Sequence, residues 1–106
     1  MEVHRELGSG LRELPYENAL RNELRYRKHQ VDQQKAWPIQ YKGAIVGDCF
    51  TDLFVDRELV VEVKAINALG DEELSQVLNY LRISKMRLGL ILNFKPSSLE
   101  VERVAL

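Results

Sequence analysis

Residues 51–65 read TDLFVDRELVVEVKA, and the reading of this stretch decides the fold. Leu53, Val55, Leu59, Val61 and Val63 are strand formers, and Asp56-Arg57-Glu58 makes a plausible hairpin tip. Asp52, Glu62 and Lys64 are charged residues set inside these apolar runs. Side chains alternate along a strand, so Glu62 and Lys64 share one face and Val61 and Val63 take the other. The position of Asp52 depends on loop length. A loop over residues 56–58 sets Asp52 opposite Glu62, whereas a loop one residue shorter or longer sends it to the other face.

Two carboxylates side by side repel each other, and burying both unpaired is costly. A divalent cation between them removes the conflict. Oxygen-only ligands suit Mg²⁺ or Mn²⁺ and not zinc. Such an ion acidifies a bound water and stabilises charge developing at phosphorus. Lys64 stands where it can orient that water or neutralise the charge. The spacing D-x9-E-x-K is thus a phosphodiesterase layout. The competing reading is a solvated face carrying an ion pair.

Outside the hairpin, composition narrows the field. A chain of 106 residues is read as one domain, able to bury roughly 65% of its unfolded surface. Hydrophobic content of 45% and charged content of 29% are those of a soluble globular protein. The net charge of -1 creates no global field for nucleic acid or an anionic membrane, so any polyanion site must be a local patch. A lone cysteine, Cys49, makes neither an internal disulfide nor a cysteine zinc cluster. No apolar run approaches the ~18 residues of a membrane span. The opening MEVHRELG is charged from its second residue and is not a signal peptide. A reducing cytoplasm is the expected location.

The rest of the chain supplies helices and further strands. Residues 2–7 form a short helical segment stopped by Gly8. Tyr16, Leu20 and Leu24 make an i,i+4 stripe with Ala19 beside it, which places a helix over about 15–29 with Pro15 at its first position and Glu13 just before it. Residues 36–48 read as two strand segments around a Lys42-Gly43 turn. Gly70-Asp71 starts a second long helix, with Leu74, Val77, Leu78 and Leu81 facing a core. LGLILNF (88–94) is a strand buried on both faces, and LEVERVAL (99–106) alternates as an edge strand. The expected architecture is α/β (α+β), a mixed sheet flanked by helices.

Two further motifs join the hairpin: G-x-x-E-x-x-Y over Gly10, Glu13 and Tyr16, and Q-x-x-x-Y over Gln76 and Tyr80. With VHRELGSGLRELPYE, the Lys42-Gly43 turn leading to CFTDLFV, then VVEVKA, SQVLNYL and LGLILNF, the chain resembles the GxxExxY proteins of the PD-(D/E)XK nuclease-like superfamily. The resemblance covers nearly the whole chain and implies a restriction-endonuclease-like core. It implies Asp52 and Glu62 as metal ligands, Lys64 as the lysine beside them, and Glu13 as the helix-associated glutamate that completes or supports the metal shell. It also implies Gln76 and Tyr80 lining the site from one helix face. Relatives commonly carry a longer helix before EVHRELG, so packing there is expected to be incomplete or supplied by a partner. They often carry a small polar residue where Leu14 stands, which removes a helix cap worth roughly 1 kcal/mol.

Several residues have blander readings beside these. Glu13 fits a helix N-terminus. Tyr16, set among the site-lining residues by the motif, fits a core as well. Arg21, Arg25 and Lys28 on the first long helix, and Arg82, Lys85 and Arg87 at the end of the second, could meet phosphates. Glu17-Arg21 and Glu23-Arg27 also form ordinary i,i+4 pairs. Cys49 is read as a small core residue, Asp48 as a minor alternative ligand, and Trp37 as a cover for one end of the sheet. Together these readings give a nuclease for DNA or RNA, with a homodimer as a further reading. The alternative is a non-catalytic nucleic-acid or protein-binding module on the same fold.

Overall fold

In the computed structural model, which describes residues 1–106, the hairpin of the opening stretch is the centre of the sheet. β2 (Ala44–Val55) and β3 (Leu59–Lys64) pair antiparallel, with Val55 opposite Leu59 and Leu53 opposite Val61. The loop therefore holds Asp56, Arg57 and Glu58, the length that puts Asp52 opposite Glu62. Asp56 and Arg57 take left-handed φ values of 52° and 58°. Asp56 ties the tip down: its carboxylate accepts from the Gln30 N–H at 2.9 Å and contacts His29 Nδ1 at 2.7 Å.

The five strands lie in the order β1-β2-β3-β4-β5. β1 (Val31–Tyr41) and β5 (Glu100–Ala105) are the edges, and β4 (Leu88–Asn93) runs parallel to β3. α3 (Asp71–Ser84) is the crossover between β3 and β4. α1 (Glu2–Leu7) and α2 (Glu13–Tyr26) precede the sheet. Alternation sorts the side chains into two layers. Leu53, Val55, Val61, Val63 and Leu92 pack against Val3, Tyr16 and Leu20 of α1 and α2. Phe54, Val60 and Ile91 pack against Val77 and Leu81 of α3. Val60, Glu62 and Lys64 alternate together, so the charged face of β3 is the α3 face.

Element ends differ from the sequence expectation in three places. α2 begins at Glu13, so Pro15 is its third residue and Arg12, in extended backbone, is its cap. Pro15 is tolerated there because first-turn N–H groups have no intrahelical partner anyway. Leu14 is therefore not a cap position. The helix ends at Tyr26 because Lys28 turns left-handed at φ 73° and the His29 N–H donates back to the Leu24 carbonyl at 3.0 Å. β1 starts at Val31, ahead of the expected segment, because its polar run Asp32-Gln33-Gln34-Lys35 lies on a sheet edge that needs no apolar alternation. The Lys42-Gly43 turn forms as expected, with both residues at positive φ. Past the end of the β2–β3 pairing at Leu53, the β1–β2 hairpin runs on as an arm that leaves Tyr41, Ile45, Val46 and Phe50 exposed.

α3 sits tightly on the sheet at one point. A Cβ on Gly89 of β4 would come within 2.9 Å of Val77 Cγ1 and 3.4 Å of the Val60 carbonyl oxygen. Gly89 marks the closest approach of helix to strand, and it is the absence of a side chain that is needed there. Gly89→Ala is expected to destabilise the fold by roughly 1–3 kcal/mol through overpacking, read as a lower midpoint in thermal or urea unfolding with no change in oligomeric state.

Candidate functional site

The regular ladder between β2 and β3 stops at Leu53 opposite Val61. At the next step the side chains take over. The Asp52 N–H donates to Glu62 Oε1 at 3.0 Å, and the Val63 N–H donates to Asp52 Oδ2 at 2.8 Å. Each carboxylate thus holds the backbone beside the other, and the two acids stay together on the α3 side of the sheet. Glu62 is only 4% exposed. Burial, and next the neighbouring Asp52 carboxylate, push its carboxyl from the ordinary 4.5 up to about 9. Lys64 lies two residues on, and its ammonium donates to Gln76 Oε1 of α3 at 2.7 Å.

The chain leaving β3 is fixed from two sides. Glu13 Oε2, from the first turn of α2, accepts the Ala65 N–H at 3.1 Å. Asn93 on β4, opposite Lys64, is fully buried, accepts the Ile66 N–H at 3.0 Å and donates to the Ile66 carbonyl at 2.9 Å. Glu13, Lys64 and Gln76 line one cavity of about 260 Å³, with Glu72 and Glu73 from the first turn of α3. Tyr80 stands one helical turn beyond Gln76. Its hydroxyl is pushed above the usual tyrosine range by burial and then by the charges of Glu62, Cys49 and Asp52. It therefore stays protonated and is a hydrogen-bond donor beside the acids.

The structure thus gathers Asp52, Glu62, Lys64, Gln76 and Tyr80, with Glu13 at the margin. Glu13 does not join the other two acids in a cage of three ligands; it braces the backbone after Lys64. Tyr16 is not site-lining. It is fully buried, stacks on Phe94 at 4.5 Å, and its hydroxyl donates to the Gly8 carbonyl at 2.6 Å while accepting the Leu11 N–H at 3.2 Å. It latches the glycine loop onto the core. Arg21 and Arg25 are likewise committed elsewhere: Arg21 donates to Gln33 Oε1 at 2.6 Å and Arg25 to the Val31 carbonyl at 2.8 Å. They fasten α2 to β1, and Lys28 closes the helix end. Arg82 and Lys85 line a different cavity, at the far end of α3.

Three contributors, Asn93, Glu17 and Gln34, escaped the sequence reading. Glu17, taken as a surface partner of Arg21, is 3% exposed and accepts from the side-chain amides of Gln33 at 2.7 Å and Gln34 at 3.0 Å. Its i,i+4 spacing from Glu13 was the available signal. Gln34 adopts a left-handed φ of 52° inside a strand, and its amide also donates to Asp52 Oδ1 at 3.1 Å. Nothing in the run VDQQK marks it. A non-glycine residue held in this conformation costs about 1–3 kcal/mol and clusters at functional sites. Cys49 is half-buried rather than core. Burial, then Glu62 and Asp48, raise its pKa, so it stays a thiol. Asp48 itself is exposed on β2, opposite Pro38.

The donor set fits a hard divalent cation. All the donors are carboxylate oxygens, and Glu62 is a buried acid whose charged form needs a countercharge. Two protein carboxylates are what Mg²⁺ commonly takes, with water and substrate oxygens completing the shell. The sign of the pH dependence follows from Glu62. Without a cation, folded Glu62 keeps its proton up to about 9 while the unfolded chain loses it near 4.5. The unfolded state then binds fewer protons, so stability is fullest below that lower value and is lost as pH rises through the higher one. Thermal melts in chelator are expected to show this loss between pH 5 and 8 for wild type. Glu62→Gln should flatten it, and Mn²⁺ should raise the wild-type melting temperature most at the alkaline end.

Comparison with known proteins bears on the fold and the superfamily. No curated protein matches the chain. Among solved structures, the crystal structure of SSO0001 superposes with a TM-score of 0.67 at 14% identity, over 84% of this chain and 47% of that one. The chain therefore spans about half the length of that protein, and the likeness is one of fold. The PD-(D/E)XK nuclease superfamily profile matches residues 1–104, nearly the full length including β2, β3 and both long helices, and the chain belongs to that superfamily.

Proposed function

We propose that the protein is a metal-dependent nuclease that hydrolyses phosphodiester bonds in DNA or RNA, as a member of the GxxExxY group. The observation that carries this reading is the Asp52–Glu62 pair, locked face to face by reciprocal backbone bonds with Lys64 on the same strand face. Superfamily members generally use divalent ions. Here Asp52 and Glu62 would hold Mg²⁺ or Mn²⁺. The ion, when bound, supplies Lewis-acid polarisation of a phosphoryl oxygen and an acidified water.

The chain's own residues do the rest. Lys64, held by Gln76, presents a fixed positive charge to the phosphate and orients the attacking water. Tyr80, whose hydroxyl stays protonated, would offer it as a donor to a substrate oxygen. Glu13 and Asn93 keep the backbone after Lys64 from drifting, and the amide of Gln34 sets the rotamer of Asp52. A non-catalytic binding module has less support, because a fold that had lost cleavage has no need to keep a buried acid pair next to a lysine.

The decisive experiment is incubation of labelled single- and double-stranded DNA and RNA with Mn²⁺, Mg²⁺ or chelator, with Glu62→Ala purified in parallel. Cleavage that needs metal and disappears in Glu62→Ala is expected. Cleavage that survives in the variant comes from a contaminant, and no cleavage with any substrate would overturn the reading in favour of the binding module. Gln34→Gly adds a finer test. It removes the amide bond to Asp52 while relieving the left-handed strain, so cleavage should slow on the order of 10-fold or more, as for other residues that orient a ligand, with an unchanged melting temperature.

A further inference from the structure

The cavity at the far end of α3 has a wall from β1, formed by Trp37, Pro38 and Ile39, and a wall from the helix end, formed by Arg82, Ile83 and Lys85. Its volume is about 440 Å³, larger than that of the cavity around Lys64. Its lining holds two cations and no carboxylate. We infer that one single strand of nucleic acid, flanking the scissile bond, runs through this groove with its phosphates on Arg82 and Lys85. The inference rests on the nuclease reading above and names the path and the strandedness of its substrate.

The charges are free for such a role. The ion pairs of the protein are Arg5–Glu2, Arg27–Glu23 and His29–Asp56, and neither Arg82 nor Lys85 takes part in one. The guanidinium of Arg82 makes a single bond, to Asn79 Oδ1 one turn back at 3.2 Å, and the ammonium of Lys85 makes none. Both side chains are exposed. The contrast with Arg21 and Arg25, which are used up in fastening α2, is one of position and not of composition. Lys85 also occupies the left-handed position that closes α3, at φ 62° and ψ 25°, where glycine is the commonest residue. A lysine is held there against its backbone preference.

The groove and the site share one helix, and the groove's strand β1 pairs with β2 of the site. Gln76, Tyr80 and Ile83 follow at i, i+4 and i+7, so one stripe of α3 runs from the lysine of the site to the groove wall. On the sheet side, Trp37 pairs across the ladder with Cys49, and its indole N–H donates to the Thr51 hydroxyl at 3.0 Å, beside Asp52. A strand cut at Asp52 and Glu62 meets this groove as it leaves. Recognition there is through phosphates and not base stacking. Phe54 meets the Trp37 ring edge-on at 5.0 Å, and the ammonium of Lys35 lies 4.9 Å from the ring centroid. A cavity of this volume is that of a small-ligand site. It is sized for one sugar–phosphate strand.

The test is fluorescence anisotropy of a short labelled oligothymidine, an oligouridine and a blunt duplex, in chelator so that nothing is cut, across a salt series. Wild type is compared with Arg82→Gln, Lys85→Gly and the double variant. Each single variant is expected to weaken single-strand binding severalfold. Each should also lower the salt slope by about 0.7, the value for one phosphate contact on a single strand. Lys85→Gly should melt at or above the wild-type temperature, since glycine suits the left-handed cap, which separates lost binding from lost folding. If wild type cuts nucleic acid yet the variants bind with unchanged affinity and slope, the groove is overturned and the nuclease reading stands. If the duplex binds more tightly than either single strand, the single-strand occupant is overturned. If wild type binds no nucleic acid, the groove is overturned, and the cleavage assay alone decides the fate of the nuclease reading.

Discussion

Two backbone N–H groups, those of Asp52 and Val63, are bonded not by carbonyls but by the carboxylates of Glu62 and Asp52. This exchange is the constraint on which the site depends. It ends the β2–β3 ladder where the chemistry begins, and it fixes two like-charged groups in positions they would not hold by choice. The outcome is a buried acid whose charged form is disfavoured until something positive arrives. The same arrangement therefore provides both the geometry of a cation site and the electrostatic reason for one.

Other elements secure that pair from outside. The glutamate at the start of α2 and the asparagine on β4 both hold the backbone that follows Lys64, so two elements far apart in sequence converge on one peptide segment. Gln34 and Glu17 link the first strand and the first long helix to Asp52 through a single amide. Tyr16 locks the glycine loop that positions Glu13. The hydrophobic layers beneath are ordinary, and their part is to set the distance between α3 and the sheet, with Gly89 as the point of closest contact.

Much of this was legible in the sequence. The alternation in TDLFVDRELVVEVKA gave the strands, the faces and, through loop parity, the opposition of Asp52 and Glu62, because a strand pattern is local and its period is rigid. The order of elements and the edge position of the last strand were also readable. What was not readable depends on contacts between distant segments. Gln34 and Glu17 look like solvated residues until β1 pairs with β2 and α2 packs against it, which sets Gln34 between Glu17 and Asp52. Tyr16 sits in a motif yet serves the core, because a hydroxyl that bonds the Gly8 carbonyl has the same sequence signature as one that bonds a substrate. Arg21 and Arg25 resemble a phosphate-binding row until β1 is seen to occupy them. The start of α2 was misplaced because Pro15 is acceptable at any of the first helical positions.

The tip of the hairpin shows what this dependence on parity demands. Residues 56–58 are exposed, lie at the opposite end of the hairpin from the acids, and have the look of a loop where insertions are harmless. They are the reverse. Asp56 is held there by Gln30 and His29, and what the loop as a whole fixes is its number of residues: one residue more or fewer rotates Asp52 out of the α3 face and leaves Glu62 buried without its partner. For anyone grafting a tag, a sensor or a new terminus into this fold, the permissive turn is Lys42-Gly43 on the projecting arm. The 56–58 loop works as a counting device, and its length is as much a part of the site as any side chain in it.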